Sequence, residues 1–322
     1  MHIAETFGPS DNIPKTKIIT FEGEARSGKG TSARVVQERL LADGRSVLVI
    51  DQGQKFRVLA KLAQDQGVDL QDQAAVTRFL RDPATRPAML TLLTSLKNMK
   101  ADDVNALLYT QEVSTGSAQV AQNADAHPLV VGLLFDEVQR AVDEGIDTVL
   151  VDGRSMEKYG RQMAEQKKAQ FVMGFYFRCD ASIAARRTTG IFVDMDAMSV
   201  DEKLVLLEAI TKIGDRNRQD TLREVDPMLE PANAYPLHVA DFASNDTHYV
   251  RQATLDALLS GMVSINTSYT RSVEEMTEPV VMIAAQALEL HDAETSKLSG
   301  KPESWSSFKE FEDPRRKVAK RS

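Results

Sequence analysis

Lys29, Thr31 and Asp152, with five arginines between Arg186 and Arg223, are the side chains whose types and spacing suit chemistry on a polyanion. Lys29 and Thr31 fall in FEGEARSGKGT, residues 21–31, where glycines bracket the lysine and a hydroxyl follows. Gly23 and Gly28 leave no Cβ in the way of a backbone that approaches an anion. The amides of the loop holding Gly23, Ser27, Gly28, Lys29, Gly30 and Thr31, continued by a helix N-terminus, point at phosphate groups. Lys29 can bridge the β- and γ-phosphates of a nucleotide, and Thr31 can reach Mg²⁺. Asp152 follows a short apolar run and can hold the hydration shell of the same Mg²⁺ from the opposite side. The arginines are Arg186, Arg187, Arg216, Arg218 and Arg223, with Asp220 among the last three. Guanidinium groups grip phosphate oxygens as forks, and in a chain of net charge −8 at least two of these are expected to touch phosphate.

These groups need elements that hold them in one place. Ile18 to Phe21 reads as a first buried strand and Ser32 to Leu41 as a helix, with Ala33, Val36 and Leu40 on one face and Asp43-Gly44 as its stop. Val47 to Ile50 is a second strand, closed by Asp51. A phosphate loop at the first turn of a strand–helix–strand unit predicts an α/β fold built on a parallel sheet. Gly53 marks a tight turn, after which Phe56, Leu59, Ala60 and Ala63 make a helical face. Residues 65–110 are polar, helical in pattern and broken at Asp82-Pro83 and Arg86-Pro87, as expected of an insert between core elements. Val130, Leu134, Val138 and Val142 predict another helix, ended by Gly145. Thr148 to Val151 is a third strand that delivers Asp152 at its C-terminal end, where open α/β sheets bind ligands. Phe171 to Phe177 is a fourth, and Leu204, Leu207 and Ile210 continue helical spacing. Beyond Ser264 the character changes, with a helix expected over Val280 to Leu290.

The totals narrow the class. A chain of 322 residues can bury a sizeable core, and its net charge of −8 argues against a surface that grips nucleic acid along its length. One cysteine, Cys179, excludes an internal disulfide and fits a reducing cytoplasm; placed after an apolar run, it reads as a structural thiol. No apolar run reaches the length of a membrane span, and no signal-peptide core is present, so no membrane partner is expected. The five histidines are scattered, which leaves a His-based triad or zinc site without support. Residues 1–16 read as a loose leader, and Lys297 to Ser322, with its basic end, as a mobile tail.

In order along the chain, FEGEARSGKGT, DQGQKFR (residues 51–57), TQEV (110–113) with AQVA (118–121), VDGRSM (151–156), the pair Arg186-Arg187 and RNRQDTLREVDP (216–227) resemble the bacterial cytidylate kinases. The GKGT form, with Gly30 between Lys29 and Thr31, is typical of small nucleotide kinases. The resemblance runs from about Lys17 to Met262. It implies a P-loop nucleoside monophosphate kinase core over 17–262, an insert over about 62–110 that closes on the nucleotide, an Arg-rich lid over about 186–223, and no counterpart for 263–322. It further implies phosphorylation of CMP or dCMP by Mg-ATP in a monomer. Lys29 and the loop amides would hold the ATP phosphates, and Arg57 and Arg154 the acceptor phosphate. Arg187, Arg216 and Arg223 would belong to the lid and the acceptor-phosphate cage, and Asp220 would contact the acceptor sugar.

The departures fall on the base-reading positions. The family's DSG or DTG is Asp51-Gln52-Gly53, its Arg before TQEV is Tyr109, and its Ser before QVA is Ala118 with Ser117 beside it. No Arg follows Pro128, and the family's DGRD ends in Ser155. Gln52, Ser117 and Ser155 are therefore the expected base readers. The alternatives are a P-loop kinase of another acceptor, such as thymidylate or a small metabolite, and a nucleotide-binding regulatory protein without turnover.

Overall fold

β1, Lys17–Gly23, is buried along its length and forms the centre of the sheet. A computed structural model describes residues 14–239, 242 and 245–298. The expected leader, up to residue 13, and the expected tail, from residue 299, lie outside the described residues. After β1 come α1 (Lys29–Ala42), β2 (Val47–Asp51), α2 (Gln52–Asp65), α3 (Gln73–Arg81), α4 (Thr85–Leu96), α5 (Ala101–Leu108), α6 (Gln111–Val120) and α7 (Ala126–Asp143). The chain continues through β3 (Thr148–Asp152), α8 (Met156–Glu165), β4 (Gln170–Arg178), α9 (Ala181–Thr189) and α10 (Val200–Thr221). It then runs through β5 (Tyr235–Leu237), α11 (Thr247–Ser260), β6 (Met262–Asn266) and α12 (Val273–Leu298). The sheet order is β2-β3-β1-β4-β6-β5, and every pairing is parallel.

Alternation along the strands sets the layers. Ile19 and Phe21 face α1, α11 and α12, packing with Val36, Leu40, Ala257, Ile283 and Leu288. Ile18, Val149 and Val151 face the other way, onto Leu134 and Val138 of α7 and Tyr159 and Met163 of α8. A side chain shifted by one position would cross to the opposite layer, so burial on both faces fixes the register. A third cluster, with Val58, Leu59, Val76, Met89, Leu108 and Leu133 at its centre, joins α2 to α3–α7. The helices α9 and α10 form a smaller cluster around Ala184, Ala185, Leu206 and Ile213. On α10, Leu204 and Leu207 are exposed, so Leu206 and Ile213 carry the packing instead.

Two expectations change. Gly53 lies in the first turn of α2 and not in a turn before it, because Asp51 caps that helix by accepting the Gln54 amide. β6 and α12, which fall in the expected extension, pack onto the core. Val263 and Ile265 of β6, with Val280, Ile283 and Leu288 of α12, are fully buried against β4 and α1. The helix expected over Val280 to Leu290 runs from Val273 to Leu298. Ile283→Ala should lower stability by about 2–5 kcal/mol through the cavity it leaves. A melting curve unchanged in that variant would show that α12 is not part of the cooperative unit.

Candidate active site

The C-terminal ends of β1, β2 and β3 open into one cavity of about 1120 Å³. Its floor is the loop Ala25–Thr31, one wall is α2 with α6 and α7, and the other is α9 with residues 268–276. Gly28 has φ 94° and leads into α1, whose N-terminus has no side-chain cap. The first amides of α1 are therefore free for an anion. Gly23 is required for a different reason from the expected one. A Cβ there would stand 2.2 Å from the carbonyl oxygen of Phe177, so this glycine lets β1 lie against β4. At Gly28 a Cβ would strike Met276 Sδ at 2.3 Å, which places α12 directly on the phosphate loop. The Ser27 hydroxyl donates to the Glu24 carbonyl at 2.8 Å, leaving only the Ser27 backbone to address a ligand.

Lys29, Thr31, Asp51, Gln52, Arg57, Ser117, Asp152, Arg154, Arg187, Arg216, Asp220 and Arg223 all line this cavity. Arg218 does not, and Ser155 does not. Register pairs Asp51 with Asp152, so two carboxylates stand side by side at the strand ends. A Cβ on Gly30 would lie 3.0 Å from Asp152 Oδ2, which measures how closely α1 approaches that carboxylate.

Charge is crowded here. Burial, then Arg154 and Arg216, hold the Lys29 ammonium well below the usual lysine range, while Asp152 and Asp51 act the other way. Burial raises Asp152, and Lys29 opposes that rise. Arg216 is pushed down to about 9 by burial and by Arg154, Arg57, Arg26 and Arg223. Arg223 falls to about 10 through burial and Arg154. Cations outnumber the carboxylates that face them, so phosphate oxygens would restore the balance. Phosphate should raise the Lys29 pKa, and binding should take up protons above neutral pH. Nucleotide affinity should then fall as pH rises. Calorimetry at pH 8 in two buffers of different ionisation enthalpy checks this; identical binding heats would refute it.

The arginines are held in distinct ways. Arg154 Nε lies 2.9 Å from Asp220 Oδ2, and Arg223 Nη2 bonds to Asp220 Oδ1. Asp220, expected on the acceptor sugar, thus has a carboxylate occupied in aligning two arginines. Arg154 Nη1 and Arg57 Nε are buried without a hydrogen-bond partner. The Arg57 guanidinium stacks over Tyr109 at 4.4 Å, and the Tyr109 hydroxyl faces Asp51 Oδ2 at 3.3 Å. Arg187 is tied by the Thr267 and Thr270 carbonyls and hydroxyls, which fasten α9 to the loop after β6. That same loop reaches the phosphate loop, where Thr267 Oγ1 donates to the Ser27 carbonyl at 2.9 Å.

Two expected base readers spend their hydroxyl protons on backbone carbonyls. The Ser155 hydroxyl donates to the Pro227 carbonyl at 2.8 Å, because Ser155 adopts a left-handed conformation (φ 53°) that swings it from the cavity. The Ser117 hydroxyl donates to the Ser114 carbonyl within α6 at 2.8 Å. Sequence reasoning missed a buried cluster around Asp226, which accepts from His127, Lys158 and Tyr159 and is held far below the usual carboxylate range by those bonds. His127 Nε2 also bonds to the Ala121 carbonyl at 2.9 Å. These residues are scattered from 121 to 226, and nothing in their local patterns signals that they meet.

A parallel sheet with a phosphate loop after its central strand, a carboxylate on the next strand and an arginine cage across one cavity define a P-loop phosphotransferase of the nucleotide kinase type. Residues 19–248 match the family model described as cytidylate kinase, and the chain belongs to that family. A cytidylate kinase of Lysinibacillus sphaericus (strain C3-41) is 26% identical over 228 residues, covering 71% of this chain and 91% of the relative. Those of Geobacillus kaustophilus (strain HTA426) and Pseudomonas fluorescens (strain Pf0-1) are 29% and 28% identical, covering 67% and 68% of this chain and 86% of each relative. Among the described residues, no helix is long and apolar enough to cross a membrane.

Proposed function

We infer that this chain transfers the γ-phosphoryl group of ATP to a pyrimidine nucleoside monophosphate, CMP or dCMP, giving ADP and the diphosphate. The observation that carries this reading is that Lys29, the α1 N-terminus, Arg57, Arg154 and Arg223 line one cavity. Such a site can bring two polyanions together.

The attacking oxygen belongs to the acceptor phosphate and is already anionic at neutral pH. No protein base is needed. Lys29 and the loop amides hold the donor phosphates, while Arg57 and Arg154 hold the acceptor phosphate. Arg216 and Arg223 neutralise charge on the transferring group, and Arg187 steadies the lid from which they are supplied. Alignment and electrostatic stabilisation then provide the rate. The residues present fit Mg²⁺. Asp152 Oδ1 is buried with no hydrogen-bond partner, and the Thr31 hydroxyl shares its cavity. Hard oxygen donors suit this ion, and nucleotide oxygens and water would complete its shell, since no group of three or more ligands stands ready among the described residues. When bound, Mg²⁺ neutralises charge on the donor phosphates.

Residues 17–298 act as one kinase unit in this reading, with α3–α6 closing over the acceptor and α9–α10 over the donor. The half-exposed Tyr109 and the cavity-lining Arg186, Arg187 and Phe192 support such closure, which would exclude water. A monomer in the cytoplasm fits the single buried thiol, Cys179, and a site completed within one chain. The test is ADP release from Mg-ATP with CMP, dCMP, AMP, GMP and dTMP supplied separately. Stimulation by CMP and dCMP is expected. Stimulation by a different nucleotide alone would move the acceptor, and binding of ATP without any stimulation would overturn the reading.

A further inference from the structure

We propose that the acceptor site takes UMP about as well as CMP. The inference rests on the kinase reading above and concerns how its acceptor base is distinguished.

Cytosine and uracil share their O2 atom and their ring size. They differ at one edge, where cytosine offers an acceptor at N3 beside a donor at N4, and uracil offers a donor at N3 beside an acceptor at O4. A site tells them apart only with a donor or acceptor whose direction is fixed, because only then does the wrong base leave a buried group unpaired. Neither serine hydroxyl has a proton left to donate to a base. Ser155 donates to the Pro227 carbonyl and Ser117 to the Ser114 carbonyl. Ala118, Ala121, Val130 and Val131 also line the cavity and bring no side-chain polar atom.

Gln52 is left. It is 3% exposed, it lines the cavity, and both Oε1 and Nε2 of its amide lack a hydrogen-bond partner. Gly153 leaves room for it, since a Cβ there would stand 3.1 Å from Gln52 Cβ. Among the described residues, the other buried cavity-lining atoms without a hydrogen-bond partner belong to charged side chains, Arg57, Asp152, Arg154 and Asp220, the last ion-paired with Arg154. Only the amide combines a donor and an acceptor. A carboxamide pairs with either base edge, because a half-turn about its terminal bond exchanges the donor and the acceptor. A partner on either atom would lock one orientation, and Gln52 has none. The group that reads the base therefore satisfies cytosine in one orientation and uracil in the other.

The reaction is unchanged by this substitution of base. The bond from the γ-phosphorus to the bridging oxygen of ATP breaks, and a bond from that phosphorus to an oxygen of the UMP phosphate forms. ATP and UMP become ADP and UDP, with no oxidant or further reactant.

The experiment measures kcat/KM of the full chain for CMP and UMP at saturating Mg-ATP by ADP release. The two values are expected to agree within about tenfold, and a larger preference for either base overturns the inference while leaving the kinase reading in place. Stimulation by neither overturns the kinase reading and this inference with it. Gln52→Leu provides an independent arm. Leucine neither donates nor accepts, so it should lower kcat/KM for CMP and for UMP together by at least about tenfold while the KM for ATP stays within about twofold. A folded Gln52→Leu protein with the wild-type values for both nucleotides would show that position 52 does not touch the base.

Discussion

Lys29→Ala is expected to lower kcat by a factor on the order of 10³ or more while leaving the melting temperature unchanged or slightly raised. The activity loss follows from position. Lys29 opens α1 at the floor of the cavity, near Asp152, and among the described residues no other lysine lines the cavity to replace it in the proposed donor-phosphate contact. The stability result follows from its surroundings. Burial and the nearby Arg154 and Arg216 disfavour the ammonium in the ligand-free site, so its removal relieves repulsion. ADP release and thermal melting, read side by side, separate the two effects. Retention of a tenth of the activity would remove Lys29 from the phosphate site, and a collapsed melting transition would make it structural.

Arg154→Ala is expected to reduce kcat/KM for the acceptor by about 10²–10³ while the KM for ATP stays within about twofold. Nη1 of Arg154 is buried and unpartnered, and Nε is held by Asp220, so the fork is aligned before any ligand arrives. Losing it would take away the proposed acceptor-phosphate contact and leave Asp220 facing Arg223 alone. Because that second partner remains, the stability cost should stay at about 1–3 kcal/mol, below the cost of stranding a buried carboxylate entirely. Arg154→Lys keeps the charge but not the fork, and should recover only part of the acceptor affinity. An acceptor KM and kcat that match the wild type would show that the cage does not depend on Arg154.

The phosphate loop and the first four strands were legible in the sequence because each is a short apolar run beside a turn, and buried parallel strands carry that signal strongly. β6 was not legible. MVSIN carries Ser264, whose hydroxyl is buried through a bond to Glu230, and a polar residue satisfied by a distant carboxylate looks like a strand end. β5 has three residues, too few for any periodicity. Within the site, residue types were readable but directions were not. Ser155 carries a suitable hydroxyl, yet its φ of 53° sends it to the Pro227 carbonyl. Asp220 carries a suitable carboxylate, yet two arginines claim it. Gln52 was flagged by its place in DQGQKFR, but only the fold shows its amide buried without a partner.

The brace between Thr267 and Ser27 joins residues 240 positions apart, and Met276 presses on Gly28 from the same late segment. Ribosomal synthesis adds roughly 5–20 residues per second, so the phosphate loop would leave the ribosome on the order of ten to fifty seconds before its brace. During that interval β1 and β3 can pair, but β4 lacks β6 at its outer edge and the loop lacks one of its walls. The nascent chain would hold nucleotide poorly until α12 docks, and nucleotide would then act as a late clamp on a nearly finished fold.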